Sequence, residues 1–263
     1  MFTAKEYKQA ESLEQAYELN QKRSSRILGG MLWLKMSRAS YGTVIDLSGL
    51  GLDTIEEDEE AFRIGCMATL RDLELHEGLN AWTRGAVRES VCHIVGVQFR
   101  NLATVGGSIF GRFGFSDVLT MFLALDSYVE LYKGGIRTLE EFAASPRDKD
   151  ILVRLIVRKT PVRCHYLSMR NTKTDFPVLA CAVASGAEGY RAVIGARPGR
   201  AMLVRDSQGI LMDGVNEKTA EAFGSWLRAQ VPVGSNMRAG AEYRGRLVEF
   251  LSRRALLAME GEG

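Results

Sequence analysis

Histidine and cysteine are scarce. The 263 residues hold three histidines (His76, His93, His165) and four cysteines (Cys66, Cys92, Cys164, Cys181), and no two cysteines have C-x-x-C spacing. A zinc or iron–sulfur site has little to build on, and no metal is expected. The thiols read as buried and free, in a reducing compartment. A chain like this that handles electrons needs an organic carrier, or borrows a metal from a partner. Excess charge is lacking too. With 34 basic and 32 acidic side chains the net charge is +2, so no global field draws nucleic acid or an anionic membrane. The longest near-apolar run, Val118 to Leu125, is closed by Asp117 and Asp126, far too short to span a bilayer. The N-terminal MFTAKEYKQAESLEQ lacks the apolar core of a secretory signal, so a cytoplasmic location is expected. Two phosphate-binding fingerprints are also missing. There is no G-x-x-x-x-G-K-[ST], and no G-x-G-x-x-G followed by an acidic residue about twenty positions on.

What is present has ordinary globular texture, with length for more than one core. SLEQAYELN (Ser12 to Asn20) reads as a helix capped by Ser12, with Gln15 as the capping-box partner. Arg26 to Leu28 and Thr43 to Leu50 read as strands. AFRIGCMATLRDLE reads as a strand passing into a helix, and the acidic run Glu56 to Glu60 before it as a solvated hairpin tip. A helix is expected from about Asn80 to Val95. VLTMFLALDSYVELY starts helical and ends as a strand (Tyr128 to Tyr132), KGGIR turns, and DILVRLIVRKTP is β-prone up to Pro161. The texture changes near Thr160 and Pro161, the expected domain boundary. Beyond it FPVLACAVAS and YRAVIGARPG read as paired strands, followed by amphipathic helices over Glu217 to Gln230 and Ala241 to Met259.

The glycine pairs Gly29-Gly30 and Gly106-Gly107 each follow a short β-prone segment. Glycine accepts positive φ and carries no Cβ, so successive amides can turn outward into a nest that binds an anion. Two such loops would hold the two phosphates of a dinucleotide without a lysine or arginine. Taken alone, a glycine pair is equally the mark of a plain tight turn.

RNLATVGGSI…SDVLTMFLALDSYVELY resembles the flavin-binding subunit of the molybdenum hydroxylases, the xanthine dehydrogenase and carbon monoxide dehydrogenase family. That family shows R-N-x-A-T-x-G-G-N, then an aspartate, then a helix ending in A-L-x-A-x-V-x-L. Its earlier A-G-G-T-D-L loop is matched by LGGMLWL (Leu28 to Leu34). SNMRAGAEYRGRLVEFLSRRAL (Ser235 to Leu256) is similar to the A-S-x-E-Y-R…L-x-R-R-A-L helix of its C-terminal domain. The matches lie in order over most of the chain, though about Lys133 to Pro161 and about Gly186 to Pro232 add little.

The resemblance implies an α+β fold: a flavin-binding unit over residues 1–160, with subdomains of about 1–52 and 53–160, then a smaller α+β domain over 161–263. It implies FAD lying between the subdomains, held by backbone from Leu28, Gly29, Gly30, Met31, Leu32, Trp33 and Leu34, and by Thr104, Gly106, Gly107 and Ser108. Asp117 would stand near the ribose and flavin side. It also implies an iron–sulfur subunit and a molybdopterin-binding subunit as partners, carrying the molybdopterin and 2Fe-2S clusters this chain lacks. Electrons would pass through the flavin to NAD+ or another acceptor. Which compound the complex oxidises would be set in the molybdenum subunit.

There are departures. Met31-Leu32 replaces Thr-Asp, and Ser108 replaces an asparagine. Gly111-Arg112-Phe113-Gly114-Phe115 replaces small and polar residues: Arg112 is a candidate to pair with a phosphate or a partner's carboxylate, and Phe113 or Phe115 to pack on a ring or in the core. In SMRNTKTDFPVLACAVA (Ser168 to Ala184), Arg170 and Asp175 stand further apart than in the family's R-x-x-D. Asp175 and Lys173 are candidate flavin contacts; His76, His93 and His165 read as non-catalytic. These departures leave open an alternative, a non-catalytic assembly subunit that kept the fold and lost the flavin. A free-standing flavin oxidase would need an acid or base that the sequence does not point to.

Overall fold

The computed structural model describes residues 2–261, organised by three sheets. The first is parallel: β1 (Thr3–Gln9), β2 (Ser25–Leu28) and β3 (Ser40–Asp46) lie in the order β1-β3-β2. Helix α1 (Leu13–Gln21) crosses from β1 to β2. Ser12 caps α1 by accepting from the Gln15 amide, but the Gln15 side chain bonds the Glu11 amide and leaves the box on Ser12 incomplete. β1 is absent from the sequence reading because TAKEYKQ is an edge strand, almost wholly exposed, with no apolar alternation to reveal it.

The second sheet is antiparallel, in the order β4-β5-β8-β6-β7. Its strands are β4 (Ile55–Glu57), β5 (Ala61–Gly65), β6 (Ser127–Leu131), β7 (Gly135–Thr138) and β8 (Leu152–Arg158). Between β5 and β6 run α2 (Leu70–Leu75), α3 (Glu77–Trp82), α4 (Ala86–Cys92), α5 (Val97–Arg100), α6 (Val105–Phe110) and α7 (Asp117–Leu123); α8 (Leu139–Ala144) follows β7. The acidic run is a hairpin tip, as expected: Asp58 accepts the Glu60 and Ala61 amides, each at 2.8 Å, and pairs with Arg63. The single helix expected over Asn80 to Val95 is in fact α3 and α4. Arg84 (φ +50°) and Gly85 (φ +83°) adopt left-handed backbone between them, which an α-helix does not accommodate.

The third sheet runs β12-β11-β10-β9, from β9 (Arg163–Arg170), β10 (Pro177–Gly186), β11 (Gly189–Gly195) and β12 (Met202–Arg205). Helices α9 (Glu217–Gln230) and α10 (Ala241–Gly261) cover one face. The apolar run in β10 has no polar alternation because both faces are buried. Ala180, Ala182 and Ala184 join the core of the first two sheets, while Val178, Cys181 and Val183 pack with α9 and α10. Small alanines on the inner face let this sheet lie close over α7, bringing Tyr166 and Arg170 onto Asp117 at the start of that helix. Among the described residues no helix is long and apolar enough to cross a membrane.

Candidate functional site

A cleft of about 520 Å³ opens where three segments meet: the loop after β2, the stretch from Ala103 to Asp117, and residues 147 to 152. Thr174, Asp175 and Phe176 close it from the third sheet. Leu28, Gly29, Gly30, Met31, Leu32, Trp33, Leu34, Thr104, Gly106, Gly107, Ser108 and Asp117 all line it. The two groups of positions, 28–34 and 104–117, thus converge on one groove.

The two glycine pairs sit where the two loops come together. None of the four adopts positive φ; the left-handed residue is Met31, at φ +60°. What the pairs supply is closeness. A Cβ on Gly30 would stand 2.5 Å from the Leu102 carbonyl carbon and overlap its oxygen outright, and one on Gly29 would stand 2.7 Å from Thr104 Oγ1. One on Gly106 would meet the Cys66 carbonyl oxygen at 2.7 Å. The bare backbone therefore faces backbone: the two loops pack back to back, and the second rests on the strand end after β5.

Their amides divide accordingly. In the second loop the donors are spent inside the protein: Val105 on Ala68 O (2.9 Å), Gly106 on Cys66 O (2.8 Å), Gly107 on the capping Thr104 Oγ1 (3.1 Å) and Ser108 on Thr104 O (3.1 Å). In the first loop, no amide from Gly29 through Leu34 donates a hydrogen bond to any described residue. A run of main-chain donors lining a groove is a match for an anion such as a pyrophosphate. The donor set fits, on one loop rather than two.

Asp117 sits at the start of α7, almost fully buried. Its Oδ1 accepts from Arg170 Nη2 at 2.7 Å and from the Tyr166 hydroxyl, both on β9. Burial pushes the Asp117 carboxyl up, against the pull of Arg170. Burial and the neighbouring carboxylate push the Tyr166 phenol well above its ordinary range. Arg170 also donates to the Asp175 carbonyl at 2.6 Å. This polar knot pins the third sheet to the cleft.

The departures resolve individually. Ser108 turns its hydroxyl back to Thr104 O at 3.0 Å. Arg112 faces neither phosphate nor solvent. Buried at φ +46°, it lies 3.7 Å from the Phe142 ring centroid and donates to Phe142 O (2.8 Å) and Phe110 O (3.0 Å). Phe113 and Phe115 stack at 5.2 Å on the cleft wall, outside the buried core, and Phe115 meets Phe176 edge-on at 4.8 Å. Trp33 joins them, 5.4 Å from Phe176. Asp175 lines the cleft and pairs with Arg238 at 3.2 Å, whereas Lys173 is exposed and does not line it. His76 caps α3 through Nδ1, at 3.1 Å from the Leu79 amide. Cys66, Cys164 and Cys181 are buried and Cys92 is half-buried, and none of the four is in a disulfide among the described residues.

Sequence reasoning missed Arg26, Tyr41, Arg147, Lys149, Tyr166 and Phe176. Four of these lie along or beside β2, β3 and the 147–150 loop, where no motif marks them. Burial and Arg26 together draw the Lys149 ammonium down, and it donates to Lys22 O at 3.3 Å. Tyr166 stands just before the family-like segment Ser168 to Ala184 and Phe176 inside it, and only the sheet packing shows what they touch.

Residues 2–160 match the family described as "FAD binding domain in molybdopterin dehydrogenase". The chain is 27% identical over 201 residues to the uncharacterized protein YgfM of Escherichia coli (strain K12), covering 74% of this chain and 76% of that protein. Its fold is similar to a chain of reconstituted CO dehydrogenase from Oligotropha carboxidovorans, with TM-score 0.87, 20% identity and 98% of each chain covered. It is similar also to a chain of quinoline 2-oxidoreductase from Pseudomonas putida 86, with TM-score 0.85, 17% identity and 97% of each chain covered. With that family matched over residues 2–160, more than half of the length, the chain belongs to the family of FAD-binding domains of molybdopterin dehydrogenases, and its α+β fold is matched over nearly all of it.

Proposed function

We propose that the cleft binds FAD and that the chain works as the flavin subunit of a molybdenum hydroxylase complex, with separate iron–sulfur and molybdopterin-binding subunits. The unspent amides of Gly29 to Leu34 carry this reading. They would hold the pyrophosphate by main-chain hydrogen bonds, with the Thr104 to Ser108 segment supporting them from behind. The volume lies within the roughly 300–1,000 Å³ usual for cofactor sites. The aromatic wall of Trp33, Phe113, Phe115 and Phe176 would pack against the cofactor at one end. Asp117, held by Arg170 and Tyr166, is the polar group on that side. FAD, when bound, supplies the redox chemistry by accepting and passing electrons; the chain supplies position and dielectric.

In this reading electrons arrive from the iron–sulfur clusters of a partner and leave to NAD+ or another acceptor, in the cytoplasm. Residues 1–160 form the flavin-binding domain, with subdomains of about 1–52 and 53–160, and 161–263 form the C-terminal domain. The sheet memberships support that division. The similarity to quinoline 2-oxidoreductase and CO dehydrogenase chains supports a heteromeric redox complex.

A second reading, an assembly subunit without flavin, draws on the second loop, whose amides and Ser108 hydroxyl are all satisfied within the protein. Incubating the purified chain with FAD decides between them. Stoichiometric yellow protein, quenched Trp33 fluorescence and FAD in acid extracts are expected. A chain that stays colourless at saturating FAD, with its fluorescence unchanged, sinks the flavin reading.

A further inference from the structure

At the end of α4, outside the cleft, the sequence reads E-S-V-C-H. Positions i, i+3 and i+4 share a helix face, so Glu89, Cys92 and His93 project together. Their ligand atoms all lie within 4.8 Å of one another. His93 Nε2 is 3.3 Å from Glu89 Oε1, and Cys92 Sγ is 3.7 Å from Glu89 Oε2. Around a tetrahedral ion with bonds of about 2.0–2.1 Å to N and O and about 2.3 Å to S, neighbouring ligand atoms stand roughly 3.3–3.5 Å apart. The 3.3 Å gap matches that spacing, the 3.7 Å gap is slightly wider, and with all three ligand atoms within 4.8 Å small side-chain rotations bring them onto one shared ion. We propose that Glu89, Cys92 and His93 form a binding site for a single borderline-soft divalent cation of the zinc class.

The surroundings agree. His93 is the C-cap of α4, where the free carbonyl ends favour positive charge. The thiol feels burial first, then the carboxylates of Glu89 and Glu74, which push it up to about 11 against the opposing Arg100. Burial and the carboxylates both disfavour the bare thiolate, and a bound cation would offset that cost. Arg100 is itself committed to Glu74 at 2.7 Å, and Glu74 also pairs with Arg71 at 2.9 Å. Arg170 is the other cation whose field reaches Cys92. Thiolate with imidazole selects zinc-like metals over magnesium or calcium. Three protein ligands leave a fourth position for water or an external ligand. Binding replaces the Cys92 thiol proton, which leaves to solvent. The ion would brace the end of α4 just before Ile94 and Val95, which line the cleft wall.

The test is a cobalt titration of the whole chain, reduced and stripped of metals. A near-ultraviolet thiolate-to-cobalt charge-transfer band should saturate at one equivalent, and zinc should displace it. Zinc should also raise Tm by roughly 5–11 °C at 100-fold excess over Kd. Cys92→Ser should abolish the band. His93→Gln and Glu89→Gln, both toward the outer side of the helix, should keep the circular dichroism unchanged while weakening cobalt binding roughly tenfold or more. Absence of the band at millimolar cobalt, its survival in Cys92→Ser, or unchanged affinity in His93→Gln would overturn the site. None of these readouts depends on flavin.

Discussion

Gly30→Ala tests the back-to-back packing of the two loops. The added Cβ would stand 2.5 Å from the Leu102 carbonyl carbon and 3.1 Å from the Ala103 nitrogen. Non-bonded carbons rest at about 3.5–4.0 Å, so the loops must part by roughly 1 Å. Leu102 cannot give way alone. Its turn is tied by the Leu102 and Ala103 amides to Phe99 O, and Leu70 holds Ala103 O at 2.8 Å. Overpacking against such a neighbour costs about 3 kcal/mol, at the upper end of the usual range. For a chain of this size that lowers the Tm of the flavin-free protein by roughly 6–12 °C. If the strain is instead relieved by displacing Gly29 to Leu34, the same energy appears as about 100-fold weaker FAD binding. Scanning calorimetry without flavin and fluorescence titration with FAD read the two terms separately. Gly107→Ala is the control, since its Cβ meets only the Thr104 hydroxyl, at 3.1 Å. A Gly30→Ala protein matching wild type in both Tm and FAD affinity would refute the packing argument.

Met31 holds φ +60°, so Met31→Gly should relieve about 1 kcal/mol of backbone strain and raise the flavin-free Tm by a few degrees; a fall would show the left-handed geometry is not maintained in solution. Asp117→Asn strands Arg170 without its buried counter-charge and should cost about 3–5 kcal/mol in urea denaturation, against about 1–2 for Tyr166→Phe. Equal losses in the two variants would mean that the ion pair contributes little. The Arg63 hydrogen bond, with the Ala61 and Glu60 amides, holds the Asp58 carboxyl down at about 2, from 3.8. Because the folded value is the lower one, its contribution is complete above about pH 4 and fades as pH falls toward 2. Asp58→Asn should flatten the stability profile in that window, and an unchanged profile would contradict the assignment.

Legibility in the sequence followed local periodicity. The α7 to β6 passage, the β10–β11 pairing and the two closing helices were readable because alternation or a 3.6-residue apolar stripe survives in the chain itself. The α3–α4 break was not, since Arg84 carries no outward sign of a left-handed backbone. The family motifs named the residues of the cleft correctly as neighbours, including Leu28 to Leu34 and Thr104 to Ser108. The glycine pairs take no left-handed backbone, and Arg112, a candidate for a phosphate or a partner's carboxylate, is buried against Phe142.

The amino-acid order alone determined the strongly periodic elements, the likeness to a flavin subunit and the two glycine loops, because these depend on contacts within a few residues or on a motif. Only the folded chain decided how the amides are shared: donors of the second loop turn inward, and those of Gly29 to Leu34 stay open. It also decided that Asp117 would meet Tyr166 and Arg170 across the sheet. Such partners lie tens of residues away, and a hydrogen bond is settled by which group arrives within about 3 Å, which no spacing along the chain encodes.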